Sequence, residues 1–192
     1  KNYNTAIISQ ISGIKAPQFR AVSSIGFHVL LDEAKINASL TRAVVDREYK
    51  RIDWEDPEIS GDPEFLQKFV RNLGKAVQAE YEAKGGGQGQ VRLRTFVNNV
   101  VEGFATSPEG IDQLRRRSVL VQAAILSVPL PESIASAVRG AYEDICAEAG
   151  DDLVPVAVRS SAAGEDSRKK AFAGLQDTYL NISGAEAVVT AY

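Results

Sequence analysis

Arg159 follows an apolar run in the last quarter of the sequence, where a guanidinium can serve as an anion-binding group. The run reads "VAVRSS", so two hydroxyl side chains, Ser160 and Ser161, come directly after the arginine. A charge at the end of a buried strand is costly unless an anion meets it, and phosphate fits the fork of guanidinium N–H donors. The anion can come from a ligand or from the chain, since Glu165 and Asp166 follow closely. The residues alone leave a phosphate site and a structural ion pair both open.

A second segment of small and polar residues follows shortly afterwards. It reads "AFAGLQDT" and contains Ala173, Gly174, Gln176, Asp177 and Thr178. Glycine beside alanine lets the backbone approach a ligand closely, and clustered backbone N–H groups bind anions. With the preceding arginine and the threonine hydroxyl, this segment is suited to hold a polyphosphate, although the residues alone favour the structural ion pair of Arg159 with Glu165 or Asp166.

The elements that position these residues are predicted from hydrophobic spacing and capping residues. "DLVPVAVRSS" predicts a strand whose apolar run indicates burial on both faces, and "DTYLNIS" predicts a second strand with alternating character. The pair Asp62-Pro63 predicts a helix start, "GGGQG" predicts its end, and "DWEDPEISGDP" before it predicts a loop. A further strand is predicted through "QFRAVS", and further helices are predicted over 3–12, 25–34, 38–48, about 91–104, 108–126 and 132–148.

The composition is that of a globular chain and excludes some classes of function. The chain has 192 residues and a net charge of −3, which gives no overall attraction to nucleic acid or to a membrane surface. The short basic runs "RLR" and "RRR" are typical of solvated helix faces. Cys146 is the only cysteine and predicts a small core residue in a reducing cytoplasm, while His28, the only histidine, predicts a partly exposed helix residue. No apolar run reaches the roughly 18 residues of a membrane span.

The residues around Arg159 closely resemble the signature of the nucleotide-binding domain of phosphoenolpyruvate synthase and pyruvate phosphate dikinase, a branch of the ATP-grasp superfamily. The sequence matches that signature at "VAVRSSA", "ED", "FAG", "Q", "DTYLN" and Gly184. "LPESIASAVRGAYEDI" is similar to the family helix that precedes the signature strand. "GIKAPQFRAVSSIGFHVLLDE" is similar to a segment near the start of the family domain, and "KNYN" places Lys1 where the family has a phosphate-contacting lysine.

The resemblance covers residues 1–36 and 127–192 and implies an α+β fold. It implies that residues 1–192, which contain no methionine, are the N-terminal fragment of an ATP-grasp-like nucleotide-binding domain with a mostly helical insertion over about 45–125. It also implies ATP and Mg²⁺ as ligands, with Lys1 and Arg159 neutralising phosphate charge. The ATP-binding residues implied are Lys1, Arg159, Ser160, Ser161, Ala173, Gly174, Gln176, Asp177 and Thr178, with Arg159 as the catalytic residue.

In such enzymes a phosphoryl group passes from ATP to a histidine on a separate swivelling domain, and then to a small acceptor. The carrier domain and the acidic magnesium ligands of the family have no counterpart in this sequence, so the isolated chain is expected to be inactive. Leu175, "SRKK" and "PQFR" depart from the family pattern, and the acceptor stays open among pyruvate, a rifamycin-type antibiotic and a phenol. Two other functions stay open: an assembly or docking surface on the helical middle, and a degenerate member that binds no nucleotide.

Overall fold

The computed structural model describes residues 19–21, 25–85, 89–102, 110–159 and 178–192. The chain divides into two compact units. One consists of Phe27–Pro131, and the other combines the flanking segments Lys1–Gly26 and Glu132–Tyr192. The predicted helix over 3–12 lies outside the described residues. Of the strand predicted through "QFRAVS" only residues 19–21 are described, and they belong to no helix or strand.

The described residues are mostly helical and contain two small antiparallel sheets, which confirms the predicted α+β class. Most predicted helices are present with ends shifted by one to three residues, as expected for boundaries set from sequence. The elements in chain order are α1 (Ile25–Glu33), β1 (Lys35–Asn37), α2 (Ala38–Tyr49), α3 (Pro57–Ser60), α4 (Pro63–Ala83), β2 (Gln90–Arg92), α5 (Leu93–Val101), α6 (Ile111–Leu126), α7 (Glu132–Ala149), β3 (Val156–Arg159), β4 (Thr178–Ile182) and α8 (Ala185–Ala191).

In the Phe27–Pro131 unit, α2, α4 and α6 pack against one another around a common core. Its most buried side chains include Val44, Leu73, Phe96 and Ala123, each at most 2% exposed. Gly74 lets α4 approach the C-terminal end of α6 closely, because a Cβ atom at this position would lie 2.8 Å from the Cβ of Leu126.

Capping residues explain where the helices of this unit begin. The Asp62 carboxylate accepts a hydrogen bond of 2.9 Å from the N–H of Glu64, and Pro63 occupies the first helical position of α4. A proline there loses nothing, since the first N–H groups of a helix have no partner within it. The helix start predicted from Asp62-Pro63 is therefore confirmed.

Two expectations for the same unit are wrong. The predicted loop "DWEDPEISGDP" contains the short helix α3, which begins after Asp56, whose carboxylate accepts from the N–H of Glu58. The predicted helix over about 91–104 begins only at Leu93, because Gln90–Arg92 form β2 and pair with β1. The N–H of Leu93, the first residue of α5, donates to Ala34 O at 2.8 Å, so the hydrogen bonding between the two segments continues one residue beyond the paired strands.

The basic runs contact the chain's own carboxylates and aromatic rings. Arg94 pairs with Asp32, and Arg116 pairs with Asp46 at 2.7 Å. The guanidinium carbon of Arg115 lies 5.2 Å from the ring centroid of Trp54. The run "RRR" lies on a helix, as predicted, whereas "RLR" begins with Arg92 at the end of β2 and only its last two residues belong to α5.

In the second unit, α7 packs against α8, and α8 contacts β4 of the hairpin formed by β3 and β4. Cys146 is buried on α7, as predicted. The expectation that β3 is buried on both faces is wrong. Val156 and Val158 are half-buried while Ala157 and Arg159 are exposed, so among the described residues only one face of β3 is partly covered.

Candidate nucleotide-binding site

The hairpin of β3 and β4 brings two of the predicted phosphate-contacting residues together. The strands pair antiparallel, and Arg159, the last residue of β3, lies directly opposite Thr178, the first residue of β4. Directly opposite residues of an antiparallel pair have Cβ atoms about 5 Å apart. A guanidinium and a hydroxyl therefore stand side by side where the chain leaves the sheet and returns to it.

The other predicted site residues lie outside the described part of the chain. These residues are Lys1, Ser160, Ser161, Ala173, Gly174, Gln176 and Asp177. In the sequence, residues 160–177 connect Arg159 at the end of β3 to Thr178 at the start of β4.

Arg159 is exposed, and no carboxylate among residues 19–21, 25–85, 89–102, 110–159 and 178–192 forms an ion pair with it. The two acids considered as structural partners, Glu165 and Asp166, lie outside those ranges. Because the arginine is exposed, its guanidinium avoids most of the desolvation cost that a buried charge would incur. Its donors are accessible to an anion from solvent.

Asn181 produces an irregularity in β4 close to this position. Val158 pairs with Tyr179, but Val156 pairs with Ile182, so β4 contains one residue more than β3 between these pairs. Asn181 has φ +57°, in the left-handed region that asparagine tolerates better than most residues. An extra residue of this kind is a β-bulge, which bends a strand and redirects its side chains, and bulges are frequent beside active sites.

Tyr142 fastens the opposite end of the hairpin to α7. Its hydroxyl donates to Val154 O at 3.1 Å and accepts from the N–H of Gly184 at 2.8 Å. The hydrogen bond from Gly184 lowers the pKa of Tyr142, but burial and the neighbouring Cys146 thiol raise it, and the net result is a raised pKa. The Cys146 thiol, one turn further along α7, donates to Asp152 O at 3.6 Å.

Arg139 links α7 to the helix that follows the hairpin. Its Nη1 donates to Glu132 Oε1 at 2.7 Å within α7, and its Nε donates to Glu186 Oε1 at 2.5 Å in α8. These hydrogen bonds, first the one to Glu186, raise the pKa of Arg139. Helix α8 is therefore bound to α7, the same helix that binds Val154 and Gly184 on either side of the hairpin.

No group of three or more His, Cys, Asp or Glu side chains in the described ranges is arranged to hold a metal ion. The described residues thus do not form a magnesium site by themselves, and none of them is assigned a ligand role. His28 is an exposed residue of α1, as predicted, with Nδ1 3.4 Å from an Arg94 nitrogen. Among the helices that the structure describes, none combines the length and the apolar character needed to cross a bilayer.

An exposed arginine opposite a threonine, on a hairpin held by a helix, defines a candidate anion-binding site in a predominantly helical α+β chain. The sequence matches the family model described as "Pyruvate phosphate dikinase, AMP/ATP-binding domain" over residues 1–192. The chain therefore belongs to this family, and the predicted membership is confirmed.

Curated relatives match parts of the chain. A probable phosphoenolpyruvate synthase of Methanocaldococcus jannaschii is 47% identical over 78 residues, which are 41% of this chain and 7% of that protein. The phosphoenolpyruvate synthase of Pyrococcus furiosus is 36% identical over 97 residues, 50% of this chain and 12% of that protein. That of Aquifex aeolicus is 36% identical over 99 residues, 52% of this chain and 11% of that protein. Each match thus spans about a tenth of the relative. No solved structure was found to match the chain.

Sequence reasoning did not identify Tyr142 or Asn181 as parts of this site. The spacing of Tyr142 and Cys146, four residues apart on one predicted helix face, was the available signal for a helix that contacts the strand behind it. A left-handed residue inside a strand leaves no periodic signature, so its role depends on the observed register.

Proposed function

We propose that this chain is the ATP-binding part of a dikinase-type phosphotransferase with an ATP-grasp-like fold. In this proposal a phosphoryl group moves from ATP to a histidine on a separate carrier domain and then to a small acceptor. Pyruvate is the acceptor we favour, because the curated relatives named above are phosphoenolpyruvate synthases. The observation that carries the proposal is the pairing of Arg159 with Thr178 at the loop end of the hairpin, in a chain of the AMP/ATP-binding family.

In this site Arg159 is the catalytic residue, and its forked donors contact phosphate oxygens and offset the charge that develops during transfer. Thr178 adds a hydroxyl donor beside it. The segment between them contains the remaining proposed ATP-binding residues, and Lys1 supplies a second cation. They are Ser160, Ser161, Ala173, Gly174, Gln176 and Asp177.

Mg²⁺ enters this proposal as the partner of the ATP phosphates, whose negative charge it reduces. Its protein ligands are assigned to none of the described residues. Phosphoryl transfer depends on positioning and charge stabilisation more than on covalent chemistry by the protein, so residues such as Arg159 and Thr178 can make a large contribution.

The proposal is tested by calorimetric titration of the full-length polypeptide with ATP in the presence of Mg²⁺. Arg159→Ala is compared with Arg51→Ala, which removes an exposed arginine that contacts Glu48 at 2.7 Å in the other unit. Loss of a charge-assisted hydrogen bond costs about 1.5–3 kcal/mol, so we expect about 10- to 150-fold weaker binding for Arg159→Ala and none of this effect for Arg51→Ala. Absence of ATP binding by the wild type, or equal binding by the two variants, would contradict the proposed role.

Two alternatives remain predictions. A degenerate member without catalysis corresponds to a wild type that binds no ATP in the titration. An assembly or docking role for the predicted insertion is favoured by the exposed large hydrophobic side chains Val101, Ile111 and Leu126, which are 51%, 76% and 50% exposed. Deletion of residues 50–120 followed by measurement of oligomeric state and turnover tests it, and unchanged assembly and turnover would rule it out.

A phenol or a rifamycin-type antibiotic as acceptor is tested by turnover with each compound in place of pyruvate.

A further inference from the structure

The Tyr142 hydroxyl donates one hydrogen bond and accepts another, and both partners are backbone groups that flank the hairpin. The tyrosine is 4% exposed, and its two hydrogen bonds are partly buried. Val154 lies two residues before β3 begins, and Gly184 lies two residues after β4 ends. A single oxygen atom on α7 therefore joins the segment that enters the hairpin to the segment that leaves it.

The hairpin itself is short. β3 has four residues and β4 has five, and their pairing contains an irregularity. A two-stranded hairpin in water is marginally stable at best and requires packing against another element. Its orientation therefore depends strongly on its contacts with other elements, and the Tyr142 hydroxyl of α7 bonds the segments that flank both strands.

The proposed phosphate contacts lie at the other end of the same strands. Three residue steps separate Val156 from Arg159, a distance of about 10 Å at the usual rise per residue of a strand. A rotation of the hairpin at the Tyr142 end would displace Arg159 and Thr178 together, because they are paired across the sheet. Displacements of about 1 Å are enough to weaken a phosphate contact strongly.

We propose that Tyr142 is a positioning residue for the nucleotide site. Its hydroxyl joins Val154 to Gly184 and thereby fixes the hairpin on α7 so that Arg159 and Thr178 meet the phosphate together. This inference rests on the proposed ATP-binding function. Tyr142 itself makes no contact with the nucleotide and acts through Arg159 and Thr178.

The test compares Tyr142→Phe, which removes only the hydroxyl, with Val138→Ala in the full-length polypeptide. Val138 is 3% exposed on the same helix, one turn before Tyr142, so its truncation loosens α7 without removing the hydrogen bonds to the hairpin. We expect Tyr142→Phe to weaken ATP binding about tenfold and to speed amide hydrogen exchange in residues 156–159 and 178–182. Val138→Ala should lower the unfolding midpoint but bind ATP like the wild type.

A double variant separates positioning from a general structural effect. If Tyr142 acts through Arg159 and Thr178, Tyr142→Phe should weaken binding less in an Arg159→Ala background, where only the Thr178 contact is left to displace, than in the wild type. Multiplicative losses, wild-type affinity for Tyr142→Phe, or an equal loss for Val138→Ala would each overturn the positioning role. These results would overturn only the role of Tyr142. If the proposed function itself is wrong, the wild type binds no ATP or Arg159→Ala has no effect on binding, and both proposals are overturned together.

Discussion

Replacement of Gly74 by alanine tests a close approach of two helices in the Phe27–Pro131 unit. Gly74 lies in the middle of α4, and an added Cβ would be 2.8 Å from Leu126 Cβ and 3.0 Å from the carbonyl carbon and oxygen of Leu126. Two of these three atoms belong to the backbone, so a side-chain rotation does not remove the clash. Carbon atoms in contact prefer about 3.5–4.0 Å, which requires α4 and α6 to separate by roughly 1 Å.

Two opposing effects set the magnitude for Gly74→Ala. Overpacking of a core costs about 1–3 kcal/mol, whereas replacing glycine by alanine inside a helix gains about 1 kcal/mol. We expect a net loss of about 1 kcal/mol in the free energy of unfolding. Gly140→Ala is the matched control, since it lies inside α7 and a Cβ there would meet no atom within 4 Å. The same substitution at Gly140 should therefore raise the free energy of unfolding by about 1 kcal/mol.

The assay is urea denaturation followed by fluorescence and by far-ultraviolet circular dichroism. Trp54 is the only tryptophan and stacks on Tyr49 at 4.6 Å between ring centroids, so its fluorescence reports the unit that contains Gly74. Circular dichroism reports α7 for the control. A Gly74→Ala variant as stable as the wild type or more so, with an unchanged denaturant dependence, would refute the close contact between α4 and α6.

Substitutions at three further positions test individual contacts. Asn181→Gly should leave the stability of the hairpin unchanged or raise it, whereas Asn181→Ala should lower it by about 1 kcal/mol because a Cβ disfavours the left-handed region, and hydrogen exchange in β3 and β4 measures the difference. Asp62→Ala should destabilise α4 by about 1 kcal/mol and Asp62→Asn should not, as read by thermal unfolding. Burial and then the hydrogen bond to Asp112 raise the pKa of Tyr49 from 10.0 to about 12. Its contribution to stability is therefore complete below pH 10 and decreases as the pH rises towards 12, and a comparison with Tyr49→Phe in urea titrations across this range should isolate that decrease.

Local signals in the sequence account for most of the helices. The Asp62-Pro63 start of α4 was predictable because a cap and its helix lie within a few residues of each other. The strands β1 and β2 were not, because each has only three residues and their pairing joins positions 35–37 to positions 90–92. A pairing over that separation leaves no local periodicity, and the apolar spacing of "VRLRTFVNNV" suits a helix as well.

The site was predictable in part for a different reason. The hairpin strands were recognisable from composition, and the resemblance to a family signature indicated which residues to consider. The burial of β3 was overestimated because an apolar run does not reveal how many strands or helices cover it. The bulge at Asn181 and the double hydrogen bond of Tyr142 depend on register and on tertiary contact, which the sequence does not specify locally.

The exposure of Arg159 changes how its two possible roles can be separated. An exposed structural ion pair contributes at most about 1 kcal/mol, so a partner such as Glu165 or Asp166 would make Arg159→Ala nearly neutral for stability. A phosphate-binding arginine without such a pair would be nearly neutral for stability as well. The unfolding free energy therefore does not distinguish the roles, whereas ATP affinity does, since loss of a charge-assisted phosphate contact is expected to weaken binding about 10-fold or more. Added salt sharpens the comparison, because the contribution of an exposed guanidinium to ATP binding should decrease as ionic strength rises while the Arg159→Ala variant responds less.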